Sequence, residues 1–191
     1  MNRKDELILW LNHNPHQDNK KAKKYSDGIL QQLLTDACPE SLPLEIKRTK
    51  NGKPYTNAPI YFSYSHSRRA YLFGLSKQGD IGLDIECTDR SRDFMTLSKR
   101  YFHADEYQQM KALSEQNRRH FFYRLWTRKE AWCKLFGGVL WYYLGRSVLE
   151  NQITIEAKKT LYFTDLTFIQ GYAGAVATVD PIHHVYINTI K

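Results

Sequence analysis

The sequence has no long apolar run and only a few cysteines. No stretch approaches the about 20 apolar residues of a membrane-spanning helix. Acidic residues interrupt the short apolar run of MNRKDELILWLN at the N-terminus, which is unlike a secretory signal. We therefore expect no membrane partner. The cysteines, Cys38, Cys87 and Cys133, lie far apart, without the spacing of a metal site or a disulfide framework. This favours a reducing, cytoplasmic setting.

Positive charge is in excess, and it is partly local. The formal net charge is +8, and two basic stretches, KKAKK (20–24) and EIKRTKNGKP (45–54), carry much of it in the first third of the chain. Such an excess indicates an anionic partner, which nucleic acid, anionic lipid, a phosphorylated ligand and an acidic protein would all satisfy. Taken alone, each basic stretch is better interpreted as a solvated surface.

Apolar periodicity predicts an α+β fold with mainly antiparallel sheets. The 191 residues suffice for one domain or for two small lobes that share a core. Helices are expected at 27–38 and throughout a helical stretch from 93 to 136, which includes 103–113 and 118–136. Strands are expected at 6–12, 60–67, 70–76, 81–86, 152–157, 161–168 and 172–179, with 60–86 forming a three-stranded meander. Each half thus shows a helix followed by three strands.

The strand IGLDIE (81–86) carries an unusual pair of acidic residues. Ile81, Leu83 and Ile85 share one face, so Asp84 and Glu86 lie together on the other, about 6–7 Å apart along the strand. Asp and Glu are poor strand formers, and neighbouring carboxylates repel each other. Either a cation lies between them or the strand edge is well solvated. Gly82, on the same polar face, would leave room for a ligand to approach closely.

Two further segments contain candidate site residues. In LWTRKEAWCKLF, Glu130 and Lys134 are four residues apart on a predicted helix, an arrangement that equally suits a surface ion pair. Together with Asp84 and Glu86, however, Glu130 would complete a set of hard oxygen ligands that suits magnesium. In SYSHS, His66 either ends a strand with its ring bonded to the backbone or contacts a phosphate.

In combination these motifs resemble the 4′-phosphopantetheinyl transferases, in particular the larger, pseudo-dimeric type typified by surfactin-synthetase activators. The resemblance is carried by NGKPY (51–55), FSYSHS (62–67), IGLDIE (81–86), KRYFHADEY (99–107) and FFYRLWTRKEAWCK (121–134). The motifs occur in the family's order and at about its spacing. The resemblance implies two similar, pseudo-twofold-related α+β lobes, 1–88 and 89–191, with the active site in the cleft between them.

The resemblance also implies an activity. The enzyme would be a holo-[acyl-carrier-protein] synthase that moves phosphopantetheine from coenzyme A to a serine of an acyl or peptidyl carrier protein. It would release adenosine 3′,5′-bisphosphate and require Mg²⁺, for which Mn²⁺ could substitute. A monomer would suffice, because both lobes belong to one chain. The carrier proteins of the family are typically acidic, which agrees with the positive charge of this chain.

The resemblance assigns roles to individual residues. Asp84, Glu86 and Glu130 correspond to the metal ligands. Glu130 and Lys134 are the catalytic candidates, with Glu130 acting as ligand, as base, or as base through a metal-bound water. The residues implied to bind coenzyme A are Gly52, Lys53, Ser65, His66, Lys129 and Lys134.

The chain departs from the family pattern after the long helix. The family commonly has a Gly-Lys-Gly-like loop there, whereas this chain reads GGVLWYYLGR (137–146), without the lysine and with three consecutive aromatic residues. A coenzyme A-binding protein without transferase activity is therefore an alternative. A basic nucleic-acid-binding module is another, but a pair of carboxylates would repel phosphate without a metal, so we expect no nucleic-acid partner.

Overall fold

The computed structural model describes residues 6–190 of the chain. The predictions that concern residues 1–5 lie outside this range. The helices are α1 (Asn19–Ala37), α2 (Phe94–Tyr101), α3 (Ala104–Ala112), α4 (Glu115–Phe136) and α5 (Trp141–Leu144). The strands are β1 (Glu6–His13), β2 (Ile46–Arg48), β3 (Pro54–Thr56), β4 (Tyr61–Ser67), β5 (Ala70–Ser76), β6 (Ile81–Cys87), β7 (Gln152–Thr154), β8 (Thr160–Asp165), β9 (Tyr172–Thr178) and β10 (His184–Ile190).

The elements form two four-stranded sheets and one hairpin. The first sheet has the order β10-β1-β5-β4, in which β1 and β10 are parallel and the other pairs antiparallel. The second sheet, β6-β9-β8-β7, is antiparallel throughout, and β2 pairs with β3. The α+β class with mainly antiparallel sheets is therefore confirmed.

The predicted meander of three strands is wrong at its third strand. Strand β5 is flanked by β1 on one edge and by β4 on the other, so neither edge is free for β6. Strand β6 instead pairs with β9 over its whole length, from Ile81 opposite Thr178 to Cys87 opposite Tyr172. The short connection between β5 and β6 therefore joins two different sheets.

The apolar face of β6 is buried, as its alternation predicted. Ile81, Leu83 and Ile85 pack in a core cluster with Leu7 and Leu9 of β1. A second cluster lies between α4 and the sheet that contains β9, and a third lies between α1 and the first sheet. Burial of a large apolar side chain stabilises the fold by about 1.5–3 kcal/mol, so this side of β6 fixes the strand in place.

Gly82 allows α4 to lie directly against β6. A Cβ atom at this position would lie 1.9 Å from the carbonyl oxygen of Ala131 and 2.5 Å from the amide nitrogen of Leu135. The sequence indicated that Gly82 makes room for a ligand; this is wrong, because the helix backbone fills that space. The close approach brings Glu130 and Lys134 of α4 to the strand that carries Asp84.

Four of these elements were not predicted, and one was predicted too short. The sequence did not indicate β2, β3, β10 or the short helix α5. Helix α1 begins at Asn19 rather than at 27, and the carboxylate of Asp18 caps it by accepting a hydrogen bond from the Lys21 amide at 2.9 Å. The division into lobes 1–88 and 89–191 remains a prediction, and the pairs β6–β9 and β1–β10 both join strands from the two sides of that boundary.

Candidate active site

Both carboxylates of β6 are held by serines of the neighbouring strand β4. Ser65 donates a hydrogen bond to Asp84 Oδ1 at 2.7 Å, and Ser67 donates one to Glu86 Oε2 at 2.7 Å. Ser67 also accepts from the amide of Cys87, and Ser63 accepts from the amide of Leu83. The alternating serines of SYSHS thus join the two sheets through side chains.

Lys134 of α4 reaches the same carboxylate. Its Nζ donates to Asp84 Oδ1 at 2.8 Å and to Ser65 Oγ at 2.7 Å. Asp84 is only 3% exposed, and its second oxygen, Oδ2, is buried without a hydrogen-bond partner among the described residues. An unpaired buried carboxylate oxygen is costly, so this atom indicates that the site is built to receive a cation or a hydrogen-bond donor.

Glu130 belongs to the same group of acidic side chains. Burial and the negative charges of Asp84 and Glu86 raise its pKa to about 7, against an opposing effect of Lys134. The ordinary pKa of a glutamic acid is near 4.5. The long helix α4 and the strand β6 therefore meet, and three carboxylates share one region with the ammonium group of Lys134.

These residues line one cleft with a volume of about 560 Å³. The predicted site residues on its wall are Gly52, Lys53, Ser65, His66, Asp84, Glu86, Glu130 and Lys134. The volume falls in the usual range of pockets for small ligands. The structure thus brings together residues from the β2–β3 hairpin, β4, β6 and α4, which lie up to about eighty positions apart in the chain.

One end of the cleft is formed by the β2–β3 hairpin. Gly52 stands in its turn with a φ of +83°. The ammonium group of Lys53 donates to the carbonyl of Leu135 at 2.7 Å and pairs with Asp80 at 2.5 Å, although burial lowers the pKa of Lys53. Lys53 therefore connects the hairpin to the end of α4 as well as lining the cleft.

His66 extends into the cleft from β4. Its ring stacks on Tyr71, with the centroids 4.8 Å apart and the planes 12° from parallel. Burial and the positive charge of Lys134 lower the pKa of His66, although Glu86 and Asp84 act in the opposite direction. A neutral imidazole at neutral pH is therefore favoured in this structure.

Lys129 does not join the other predicted ligands of coenzyme A. Its side chain is fully buried, and its Nζ lies 2.8 Å from Oε2 of Glu106, which is also fully buried, and donates to the carbonyl of Arg146. The ammonium group is used inside the protein, so its position gives no support to the predicted contact with phosphate. Lys129 instead connects α4 to α3.

Several wall residues were not singled out in the sequence. They include Arg48, Asn51, Tyr64, Cys133, Gly137 and Gly138. Gly137 ends α4 with a φ of +75°, and a Cβ there would lie 2.9 Å from Cβ of Asn51, so this glycine permits the loop to touch the hairpin. Ser63, Ser65 and Ser67 alternate along β4, and this spacing in the sequence could have predicted that all three face β6 and bond to it.

The donor chemistry of the cleft fits a divalent cation. Carboxylate oxygens are the ligands that Mg²⁺ prefers, and the unpartnered Oδ2 of Asp84 and the crowded Glu130 are suited to such an ion. Within residues 6–190, however, no group of three or more His, Cys, Asp or Glu side chains is already arranged to hold a metal. In this structure Lys134 is the cation that neutralises Asp84.

Comparison with known proteins identifies the family. The profile of the 4′-phosphopantetheinyl transferase superfamily matches residues 80–177, just over half of the chain. The chain belongs to this superfamily. The matched region contains β6, α4 and all but the last residue of β9, so it includes Asp84, Glu86, Glu130 and Lys134. The hairpin and β4, which complete the cleft, precede it.

Curated members of the superfamily resemble the chain over part of their length. The 4′-phosphopantetheinyl transferase AcpT of Salmonella typhimurium is 35% identical over 48% of this chain and 49% of its own. HetI of Nostoc is 31% identical over 58% and 49%, and psf-1 of Bacillus pumilus is 29% identical over 79% and 64%. The chain thus spans about half the length of the first two relatives.

Proposed function

We propose that this protein transfers 4′-phosphopantetheine from coenzyme A to a serine of an apo acyl or peptidyl carrier protein. The observation that carries the proposal is the meeting of Asp84, Glu86 and Glu130 with Lys134 in one cleft of a superfamily member. The names of the relatives support the same reaction. We further propose that the enzyme works as a monomer in the cytoplasm.

Asp84, Glu86 and Glu130 would hold Mg²⁺, or Mn²⁺ in its place. When bound, such an ion would neutralise charge on the diphosphate of coenzyme A and orient it. The support within the chain is the buried, unpartnered Asp84 Oδ2 and the negative charge that raises the pKa of Glu130. Ser65 and Ser67 would fix the two β6 carboxylates, each through one hydrogen bond.

The reaction replaces the phosphoanhydride bond of coenzyme A by a phosphodiester bond to the carrier serine. The carrier serine hydroxyl attacks the β-phosphorus of coenzyme A, and the bond from that phosphorus to the bridging oxygen breaks. Adenosine 3′,5′-bisphosphate leaves with the electron pair of that bond. Glu130 is suited to accept the serine proton, because a base with a pKa near 7 is half ionised at neutral pH. Lys134 is suited to stabilise negative charge that develops on the phosphate oxygens.

The hairpin end of the cleft would receive the nucleotide part of coenzyme A. Gly52 and Lys53 line that end, and Ser65 and His66 line the same cleft. His66, with its lowered pKa, would donate a hydrogen bond to a phosphate oxygen as a neutral imidazole. Lys129 has no part in this proposal, because its ammonium group is paired with Glu106.

The test is incubation with coenzyme A, Mg²⁺ and a panel of apo carrier proteins from fatty-acid, polyketide and nonribosomal-peptide synthesis. Intact-mass spectrometry should show one phosphopantetheine group added to at least one carrier, with an equal amount of adenosine 3′,5′-bisphosphate released. No mass gain on any carrier, together with measurable coenzyme A binding, would favour the alternative of a binding protein without transferase activity.

A further inference from the structure

An exposed group of apolar side chains follows α4. We call it the aromatic patch, and it comprises Phe136, Val139, Trp141 and Tyr142, which are 38%, 64%, 64% and 55% exposed. Single exposed apolar residues are common, but four large ones within seven positions form a cluster typical of interaction surfaces. Trp and Tyr are also the residues that contribute most often to binding energy at protein interfaces.

The aromatic patch is continuous with the wall of the cleft. Gly137 and Gly138 line the cleft, and Val139 is the next residue, one Cα–Cα step of about 3.8 Å further on. Tyr143 is buried, and its hydroxyl donates to the carbonyl of Gly137 at 3.0 Å. This bond fixes the segment on the protein, so the patch is presented in a defined position beside the cleft.

The aromatic patch adjoins a recess of about 260 Å³. Its walls include Trp132, Phe136, Tyr142, Tyr143 and Ile155, and Lys159 stands at its border. Because its walls are largely aromatic and aliphatic, the recess is suited to an apolar side chain of a partner. Arg146 and Glu156 also line the recess and pair with each other at 3.4 Å, and Tyr142 donates a hydrogen bond to Glu156 at 2.8 Å.

Basic side chains flank the aromatic patch. The ring of Trp141 lies 5.1 Å from the ring of Tyr101, and Arg100 Cζ lies 5.1 Å from the same Tyr101 ring. On the side of the recess, Lys158 and Lys159 are exposed. A surface with an apolar centre and cations at its margins complements a partner whose apolar side chains are surrounded by carboxylates.

We propose that the aromatic patch docks the acidic carrier protein, with an apolar side chain of the carrier inserted into the recess. This inference rests on the proposed function and specifies where its protein substrate binds. A carrier held there would have its acceptor serine beside the cleft, because the patch and the cleft wall are consecutive in the chain. In this proposal, the aromatic residues of the loop, which lacks the family's usual lysine, bind the carrier protein.

The test compares three variants at saturating coenzyme A while the apo carrier concentration is varied. Trp141→Ala removes the most exposed aromatic side chain of the patch, and Arg100→Glu reverses a charge at its margin. Each should raise the KM for the carrier about tenfold, with kcat and the Kd for coenzyme A unchanged. Tyr186→Ala, at an aromatic of β10 that is 49% exposed, should leave the KM unchanged.

The possible outcomes separate the two proposals. If the wild type transfers phosphopantetheine but the KM of both patch variants stays within twofold of the wild-type value, docking at the patch is overturned and the proposed function stands. If the wild type transfers to no carrier, both proposals fall. The wild type can also be sedimented with phosphatidylglycerol vesicles. If it binds the vesicles, Trp141→Ala abolishes that binding, and the KM of Trp141→Ala for the carrier is unchanged, docking of the carrier is overturned in favour of a membrane surface.

Discussion

Replacing Glu130 with glutamine removes one charge from a crowded group of three carboxylates. Burial and the charges of Asp84 and Glu86 raise the pKa of Glu130 from 4.5 to about 7 in the folded protein. A raised pKa means that the folded state binds the proton more tightly than the unfolded state. Stability contributed by this group is therefore present below pH 4.5 and is lost as the pH rises towards 7.

The magnitude follows from the difference between the two pKa values. The difference of 2.5 units, from 7 − 4.5, corresponds to about 3 kcal/mol at 1.36 kcal/mol per unit. Glutamine cannot ionise, so Glu130→Gln should be more stable than the wild type by about 3 kcal/mol at pH 8. At pH 5 the Glu130 carboxyl is largely protonated in the folded wild type, and the advantage should fall below about 1 kcal/mol.

The assay is urea unfolding of both proteins at pH 5 and pH 8 with EDTA present. Carboxylates outside the cleft contribute equally to both proteins, so the stability difference reports the ionisation of Glu130 together with its repulsion of Asp84 and Glu86. Added Mg²⁺ should stabilise the wild type at pH 8 more than Glu130→Gln, because the variant has lost a ligand. An equal stability difference at pH 5 and pH 8 would refute the reasoning that neighbouring charges and burial destabilise ionised Glu130.

Two further predictions concern the packing that positions the site. Gly82→Ala should cost about 2 kcal/mol or more in urea unfolding, because its Cβ would overlap the α4 backbone at Ala131. Gly28→Ala is the control, since its Cβ would meet no described atom within 4 Å and alanine favours the α1 interior by about 0.5–1 kcal/mol. Lys129→Met should cost about 3–5 kcal/mol, because it leaves Glu106 buried without its cation. A loss below about 1 kcal/mol would show that the pair is dispensable.

Local sequence patterns predicted which side chains supply the chemistry of the cleft better than they predicted which elements pack together to form it. Alternation along β6 placed Asp84 and Glu86 together, and helical spacing placed Glu130 beside Lys134. The same spacing turns Lys129 about 100° away from Glu130, which is consistent with its burial against Glu106.

Local sequence patterns could not predict which strands pair with each other or which atoms lie against a glycine. Alternation states which face of β6 is polar, but it does not state which strand pairs with it, and β5 was excluded only because both of its edges are occupied. Gly82 is compatible with a ligand or with a helix backbone, and only the position of α4 distinguishes them. Long-range contacts of this kind determine the fold, but the local sequence pattern around each residue does not predict them.

The proposed chemistry is tested most directly by the transfer activity of the three carboxylate variants. Asp84→Ala, Glu86→Ala and Glu130→Ala would each be incubated with coenzyme A, Mg²⁺ and a carrier that the wild type modifies. The account predicts that intact-mass spectrometry shows no phosphopantetheine added by any variant, although circular dichroism shows each one folded. Transfer by a folded Asp84→Ala or Glu130→Ala variant at the wild-type rate would contradict it.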